Sequence, residues 1–226
     1  MAITPVSNQE SLTASPTSPV TVAVDIGTRT NGLLVVGLGY FASNTHSISI
    51  TYGGVALTKI AEQPNNTAAY SAALYYLAGP TDGANDLVIT YTVDSGGALS
   101  NLYALASWYD GAAQTSVLDQ QNAGTGSTDP SLAITPTEDN ELIVSQYFSA
   151  DNDVLTVGAG ETGINNYDIG NNVYGGSYAI QTTAGAQTID FAGVDNTWQM
   201  VVASFKAAGG APPATVPMRT LLGVGV

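Results

Sequence analysis

Short apolar runs rich in Val, Ile, Thr and Tyr recur from residue 20 to residue 205, and clusters of Gly, Asn, Asp and Ser separate them. β-Branched and aromatic residues favour strands, and the separating residues favour turns. No long stripe of apolar residues at helical spacing interrupts this pattern. It predicts an all-β protein, an antiparallel two-sheet β-sandwich, with strands at 20–24, 33–41, 47–52, 55–60, 69–77, 87–93, 101–108, 142–148, 154–157, 173–181, 186–190 and 197–205.

The apolar pattern also indicates where some of these strands lie. In 102–108 and in 198–202, every second residue is large and apolar or Ala, as in a strand with one buried face. Segment 33–41 is apolar on both faces, so we expect it to lie centrally between two packed layers. Gly53 and Gly54 predict a two-residue hairpin, because both tolerate positive φ.

The chain contains a weak internal echo. An Asn-x-Leu tripeptide precedes three predicted strands, beginning at Asn31, Asn85 and Asn140, and a Tyr-Phe pair follows the first and the third. Recurring turn chemistry explains this, and so does a duplicated half-sandwich; we favour turn chemistry, since no regular period supports a repeat. Residues 119–131 are polar and predict a loop between two halves, neither of which looks like a complete domain.

The two ends of the chain differ from its middle. Residues 1–19 carry three prolines and predict an extended N-terminal arm, before a sandwich at 20–206. Residues 207–226 begin as a Gly/Pro linker and end in an apolar peptide. This peptide either folds back as a final strand or docks on another chain, by adding a strand to an exposed edge. The candidate partner-binding residues are Met218, Arg219, Leu221, Leu222, Val224 and Val226.

Charge and composition exclude several classes of protein. The 226 residues include 4 Lys+Arg, 18 Asp+Glu, 1 His and no Cys, for a formal net charge of -14. Four cations cannot neutralise a run of phosphates or the surface of an anionic bilayer. We therefore expect neither a nucleic acid nor a membrane as a partner. Without Cys there is no disulfide framework, thiolate nucleophile or Cys-ligated metal, and one His excludes a multi-His site. The first residues lack a signal-peptide pattern, which predicts synthesis without export.

Candidate chemistry is sparse. His46 could act as a general base, but no carboxylate partner can be assigned to it from sequence, and a structural His is favoured. Asp151 and Asp153 offer oxygens to Ca²⁺ without a second ligand group, so no metal or other cofactor is predicted. The remaining acids are scattered, and most are expected to solubilise turns; they are Asp94, Asp110, Asp119, Asp129, Glu138, Asp139, Glu161, Asp168, Asp190 and Asp195. We therefore predict a protein without enzymatic activity.

The aromatic residues permit two interpretations. They could form a sugar-stacking platform, but Tyr and Trp are also common in strands and at interfaces. We favour a core or subunit interface over sugar binding. The residues concerned are Tyr75, Tyr76, Trp108, Tyr109, Tyr167, Tyr174, Tyr178 and Trp198.

One stretch resembles a known group of proteins. Asn-Gly-Leu-Leu-Val-Val at 31–36, followed by Ile-Ser-Ile-Thr-Tyr-Gly-Gly-Val-Ala-Leu-Thr at 48–58, resembles jelly-roll sandwiches of the concanavalin-like class. Such sandwiches occur in bacteriophage virion proteins and bacterial surface proteins, and the strand end at 203–206 is similar too. The resemblance carries no catalytic set. With no export signal, it implies a virion protein rather than a secreted adhesin.

The resemblance therefore implies a structural role. We expect a capsid decoration, head-fibre or tail-associated protein, located in virions assembled in the host cytoplasm and anchored through its terminal arms. Its partners would be a capsid or tail protein, copies of itself, or both. Two alternatives stay open, with an extracellular surface as the location. One is a carbohydrate-binding module or adhesin with a glycan ligand, and the other is a self-assembling surface filament that uses strand exchange.

Overall fold

The computed structural model describes residues 2–14, 16–41, 46–64, 70–93, 99, 101–150, 155–168, 172–193 and 196–209. The elements within these residues are strands, joined by turns and bends. The strands are β1 (Thr4–Ala14), β2 (Val20–Asp25), β3 (Leu33–Phe41), β4 (His46–Tyr52), β5 (Val55–Ala56), β6 (Thr58–Pro64), β7 (Tyr70–Ala78), β8 (Ala84–Val93), β9 (Asn101–Asp110), β10 (Leu118–Gly126), β11 (Ser131–Ile134), β12 (Glu141–Ser149), β13 (Thr156–Val157), β14 (Thr162–Asp168), β15 (Val173–Gln181), β16 (Gln187–Ala192) and β17 (Trp198–Phe205).

These strands form four antiparallel sheets, which confirms the predicted all-β sandwich class, although the number of sheets is four and not the predicted two. The orders are β2-β8-β4-β5, β1-β9-β3-β7-β6, β10-β17-β12-β15-β14 and β11-β16-β13. Three clusters of buried apolar side chains lie between successive sheets in that order. The two five-stranded sheets are therefore central, and each is covered on its outer face by a smaller sheet.

The two halves of the chain repeat one strand order. Strands β1, β9, β3, β7 and β6 of the first central sheet correspond in sequence order and position to β10, β17, β12, β15 and β14 of the second. Likewise, β2-β8-β4 corresponds to β11-β16-β13 in the outer sheets. Our preference for turn chemistry alone was therefore wrong, because each half builds its own two-sheet sandwich. We call them the N-terminal half (2–110) and the C-terminal half (118–205).

Register extends this duplication to single residues. Leu33 on β3 pairs with Tyr109 on β9, and Leu142 on β12 pairs with Phe205 on β17. Both leucines follow an Asn with positive φ, Asn31 at 51° and Asn140 at 63°. The turn chemistry behind the sequence echo is thus real, and it recurs because the half recurs.

The halves pack in an isologous manner, as the subunits of a two-fold dimer do. The ring of Tyr109 meets that of Tyr178, with centroids 6.1 Å apart, and the ring of Phe205 meets that of Tyr76 at 5.8 Å. These two contacts join equivalent strands in reverse, β9 with β15 and β17 with β7. At the centre, Phe148 fills the space over Gly39, where a Cβ would lie 2.8 Å from its ring.

Two predictions about the strands need correction or extension. The polar loop predicted at 119–131 was wrong: β10 spans most of it, and β11 begins at its last residue. β10 is an outer strand, by which we mean a strand at the edge of a central sheet, and much of its surface is in water. It therefore lacks the apolar run that marks an inner strand. Residues 1–19, predicted as an extended arm, include β1, which pairs with β9 at the edge of a central sheet. β3 is buried on both faces as expected, and the hairpin at Gly53 and Gly54 is confirmed.

Candidate functional site

The last described residues are fixed to the segment that joins the two halves. The Lys206 N–H donates to the carbonyl of Val117 at 2.8 Å, and its own carbonyl accepts from the Ala113 N–H at 2.9 Å. Ala207 forms an isolated bridge with Ala112, and the Ala208 N–H donates to the carbonyl of Gly111 at 2.7 Å. We call residues 206–209 the root, because the segment 210–226 continues from them.

The beginning of the chain lies against the same joining segment. Gly111 has a φ of +83°, and a Cβ on it would lie 3.0 Å from the carbonyl oxygen of Ala2. Ile3, the next residue, is buried in the core cluster between the halves. The start of β1, the joint between the halves and the root therefore meet at one end of the molecule.

Charged side chains add to the backbone contacts of the root. The Lys206 ammonium lies 2.7 Å from Oε1 of Glu138 and 3.4 Å from Oδ1 of Asp119. Its hydrogen bond to Glu138 is the main reason that its pKa is raised. Asp119 also accepts two hydrogen bonds from Thr137, 2.8 Å from the amide and 2.7 Å from the hydroxyl. Lys206 is thus paired with two carboxylates, of which Asp119 is itself fixed by Thr137.

Asp119 also forms a carboxyl pair with Glu141, which is fully buried. One Glu141 oxygen accepts from the Glu138 N–H at 2.9 Å. Burial raises the pKa of Glu141, and the neighbouring Asp119 carboxylate raises it further. Burial also opposes the ionisation of Asp119, but hydrogen bonds from Thr137, Glu141 and Lys206 outweigh it and lower its pKa. Burial thus favours the neutral form of Glu141, and the hydrogen bonds to Asp119 favour its ionised form.

A second polar cluster contains the single His of the chain. His46 Nε2 lies 2.7 Å from Oε1 of Glu62, and Tyr40 and Lys59 donate hydrogen bonds to the same carboxylate. The side chains of His46 and Glu62 are only 11% and 17% exposed. Sequence could not assign this partner, because β6 is brought beside β4 only by the fold. The cluster ties β3, β4 and β6 together, in agreement with the structural role favoured for His46.

Burial and hydrogen bonds together determine which side chains of this cluster are ionised. Burial alone would raise the pKa of Glu62, but hydrogen bonds from His46, Lys59 and Tyr40 lower it to about 2. Burial, and then the Glu62 charge, raise the pKa of Tyr40 well above its ordinary value. Glu62 is therefore an anion at neutral pH and Tyr40 a neutral donor to it.

The aromatic residues considered for a sugar platform are mostly core residues. Trp108 and Tyr75 belong to the outer core of the N-terminal half, and Trp198 to that of the C-terminal half. Tyr76, Tyr109, Tyr174 and Tyr178 pack between the halves. The side chain of Tyr167 lies outside the described residues. The preference for core or interface over sugar stacking therefore agrees with the positions of the seven described side chains.

Several predicted residues lie outside the part of the chain that the structure describes. These are the partner-binding candidates Met218, Arg219, Leu221, Leu222, Val224 and Val226, the proposed calcium ligands Asp151 and Asp153, and Asp94 and Asp195. Among the described residues, no group of three or more His, Cys, Asp or Glu side chains is placed to hold a metal ion. Nor does any helix in those residues have the length and apolar character of a membrane span.

The described residues include the linings of two surface grooves of different size. The larger, about 580 Å³, is open and lies near the β4–β5 hairpin and the neighbouring β8, where Gly53, Gly54 and Asn85 contribute to it. The smaller, about 240 Å³, lies between β1 of the N-terminal half and β14 of the C-terminal half. We call the smaller one the edge groove. It lies at the side of the molecule where β1 begins.

Comparison of the chain with models of known protein families, with curated proteins and with solved structures found no match. The duplication is therefore known from the strand order and register of this chain alone. A second sequence signal accompanies it. Thr58 and Ile60 on β6 recur as Thr162 and Ile164 on β14, and both isoleucines are buried between the halves. This short match would have aligned the halves, together with the Asn-x-Leu echo.

Proposed function

We propose that the protein is a non-enzymatic structural protein of a virion, a capsid decoration, head-fibre or tail-associated protein. In this proposal, the double sandwich is displayed on the particle and the segment 210–226 anchors it. The observation that carries the proposal is the root. Residues 206–208 are fixed by backbone contacts, Lys206 is also held by ion pairs, and an apolar segment continues beyond Gly209.

The root suits an anchor for a mechanical reason. A segment that leaves a folded body from a fixed point transmits force and orientation to that body, whereas a frayed end would not. Beyond the root, Gly, Ala and Pro at 209–217 provide a spacer, and Leu221, Leu222, Val224 and Val226 provide apolar surface. Apolar residues that the folded body of a protein leaves uncovered mark interaction sites.

The net charge indicates what kind of contact the anchor makes. At a formal charge of -14, copies of the sandwich repel one another at long range. Stable attachment therefore depends on apolar and hydrogen-bonded contacts, for which the end of the chain is suited. Arg219 is the single cation of the segment, and it can pair with an acidic capsid or tail protein.

The strand order of each half supports the jelly-roll topology that the sequence resembles. Successive strands β1, β2, β3 and β4 alternate between the central and the outer sheet, as do β7, β8 and β9. A jelly roll contains two sheets whose strands interleave through Greek-key connections. Two such units in tandem form a rigid body for display on a particle.

Bulges at the outer strands favour display over strand exchange. Each outer strand of the two central sheets has one residue more than its partner at a register shift, and the inner strands pair without one. The shifts lie between Pro5 and Ser7, Lys59 and Ala61, Leu118 and Gln121, and Gly163 and Asn166. Bulges twist an edge away from further pairing, so a filament built by strand addition is disfavoured.

The test uses the virus that encodes the protein, with the gene ended after Gly209. We expect the full-length protein in purified particles at a fixed copy number by quantitative mass spectrometry. The shortened protein should fold normally and be lost from the particles at least tenfold. A full-length Val55→Asp variant, changed at an exposed residue of β5 outside the root, is the control. Equal incorporation of the shortened protein would overturn the anchor, and absence of the full chain from particles would overturn the virion function.

A further inference from the structure

The edge groove has a partly apolar lining and a position that distinguishes it from its counterpart. Pro5 and Val6 of β1, Ile164 of β14, Tyr109 and Tyr178 contribute to its lining. Val6 is 41% exposed, one of the two exposed large apolar residues in the described part of the chain; the other is Val55 at 47%. Val6 is also the extra residue of the β1 bulge, so β9 leaves it unpaired.

Because the two halves are related by a pseudo-two-fold, the edge groove can be compared with the equivalent place on the other side of the molecule. The equivalent place on the opposite side of the molecule is formed by β10 and β6, which pack against each other. β10 and β6 are therefore in contact on one side of the molecule, whereas the equivalent strands β1 and β14 leave a space of about 240 Å³ on the other. That space matches one or two leucine or valine side chains, not an extended ligand or a folded domain.

The root lies close to the groove. Ala208 bonds to Gly111, Gly111 adjoins Ala2, and the groove begins at Pro5. From Ala2 to Ser7 an extended strand covers at most about 17 Å. The twelve residues from 210 to Leu221 include three prolines, and a Pro-rich chain of this length can span up to about 37 Å. The linker is therefore long enough for this distance, and a tethered segment has a high effective concentration at the groove of the same chain relative to that of another copy.

We propose that the apolar end of the chain, residues 218–226, is held in the edge groove of its own molecule until a partner takes it. Leu221 and Leu222 supply side chains of the required size and lie within reach. Held in this way, the segment would not expose its apolar residues before assembly. The inference rests on the proposed function, in which this segment is the anchor, and it adds where the anchor is kept.

The chain contains no Cys, so introduced pairs of cysteines report on this contact without interference. A Ser7→Cys, Val224→Cys double variant places one thiol in the groove and one in the segment. At micromolar protein under mild oxidation, we expect a monomer with an internal disulfide, formed at least ten times faster than in the control. The control is Val55→Cys, Val224→Cys, whose first thiol lies at an equally exposed site outside the groove.

Each alternative outcome overturns the inference in a distinct way. Disulfide-linked dimers as the main product would assign the segment to a second copy, and equal rates in the two variants would deny a preferred position. Hydrogen exchange gives an independent readout. Ending the chain at Gly209, or introducing Val6→Asp, should speed exchange at 162–164 about tenfold, whereas Val55→Asp should not. If these effects are absent but the segment is still needed for incorporation into particles, the resting place is wrong and the anchor stands.

Discussion

An ion pair ties the turn before the central strand to the end of a neighbouring strand in both halves, but with its charges exchanged. In the N-terminal half, the cation is Arg29, two residues before Asn31, and it lies 3.3 Å from Asp110 at the end of β9. In the C-terminal half, the anion is Glu138, two residues before Asn140, and Lys206 follows β17 at 2.7 Å. The contact is retained although both residues differ, which indicates that these positions favour the attraction and not its direction.

The surroundings of the two pairs differ more than the pairs do. Asp110 also accepts from the Thr30 amide at 2.9 Å, and it closes a turn that continues into the joint between the halves. Lys206 is shared between Glu138 and Asp119, beside Glu141, whose pKa is raised by burial. One pair thus stabilises an internal turn, and the other stabilises the point from which the terminal segment leaves. Duplicated scaffolds diverge in this way, by changing what lies around a conserved contact.

The largest expected effect concerns the contact between the halves. Phe148→Ala removes a buried ring that touches Phe41 and Tyr103 and fills the space over Gly39. We expect a loss of about 3–5 kcal/mol in the free energy of unfolding, because the site cannot collapse across two sheets. Each half has one Trp, so urea unfolding of Trp108→Phe and Trp198→Phe backgrounds reports on each half separately. Both midpoints should fall together; a shift confined to the C-terminal half would contradict a shared core.

The buried His46 cluster should make the N-terminal half sensitive to acid. Glu62 has a pKa lowered from 4.5 to about 2, so its contribution is present above the unfolded pKa and is lost as pH falls from about 4.5 towards 2. Glu62→Gln should cost about 2–3 kcal/mol at pH 7, less at pH 3. The fluorescence of Trp108 during urea unfolding at the two pH values measures this. An equal cost at both would show that the charge is not involved.

The buried carboxyl pair should give the C-terminal half the opposite response. Because burial raises the pKa of Glu141, its contribution is fully present below the unfolded pKa and is lost as pH rises through the raised value. Glu141→Gln replaces the carboxyl group with a neutral amide, and we expect a gain of about 1 kcal/mol at high pH and little change near pH 4. Thermal unfolding between pH 4 and 9 measures the difference. A loss of stability at every pH would mean that Glu141 is needed as an anion.

The smallest expected effect is a direct exchange of charge. Arg29→Glu and Asp110→Lys singly place like charges together, and each should lower the free energy of unfolding by about 1 kcal/mol. Together they reproduce the orientation found in the C-terminal half, and a coupling energy of about 0.2–1 kcal/mol should return. Additive losses in this double-mutant cycle would show that direction matters after all. Raising the salt concentration should reduce the coupling, since Asp110 is partly exposed.

In the two central sheets, the apolar pattern predicted most inner strands but few of the outer strands, which lie at the sheet edges. β3 and β12 were predicted almost to the residue, because strands buried on both faces are continuously apolar. β1, β10 and β14 were missed, because an outer strand with a bulge and a wet surface has no clear alternation. Glu62 could not be assigned to His46 for a related reason. Its strand, β6, reaches β4 only through the packing of two sheets.

The sequence by itself determined the all-β class, the central position of β3, the hairpin at Gly53 and the acidic surface, because each depends on composition or on local periodicity. Only the tertiary structure decided that the chain is two similar sandwiches. That relation depends on strand order and register, which join residues far apart in sequence. The halves share few residues because a buried contact such as Tyr109 with Tyr178 or Phe205 with Tyr76 constrains size and shape, and many sequences satisfy it.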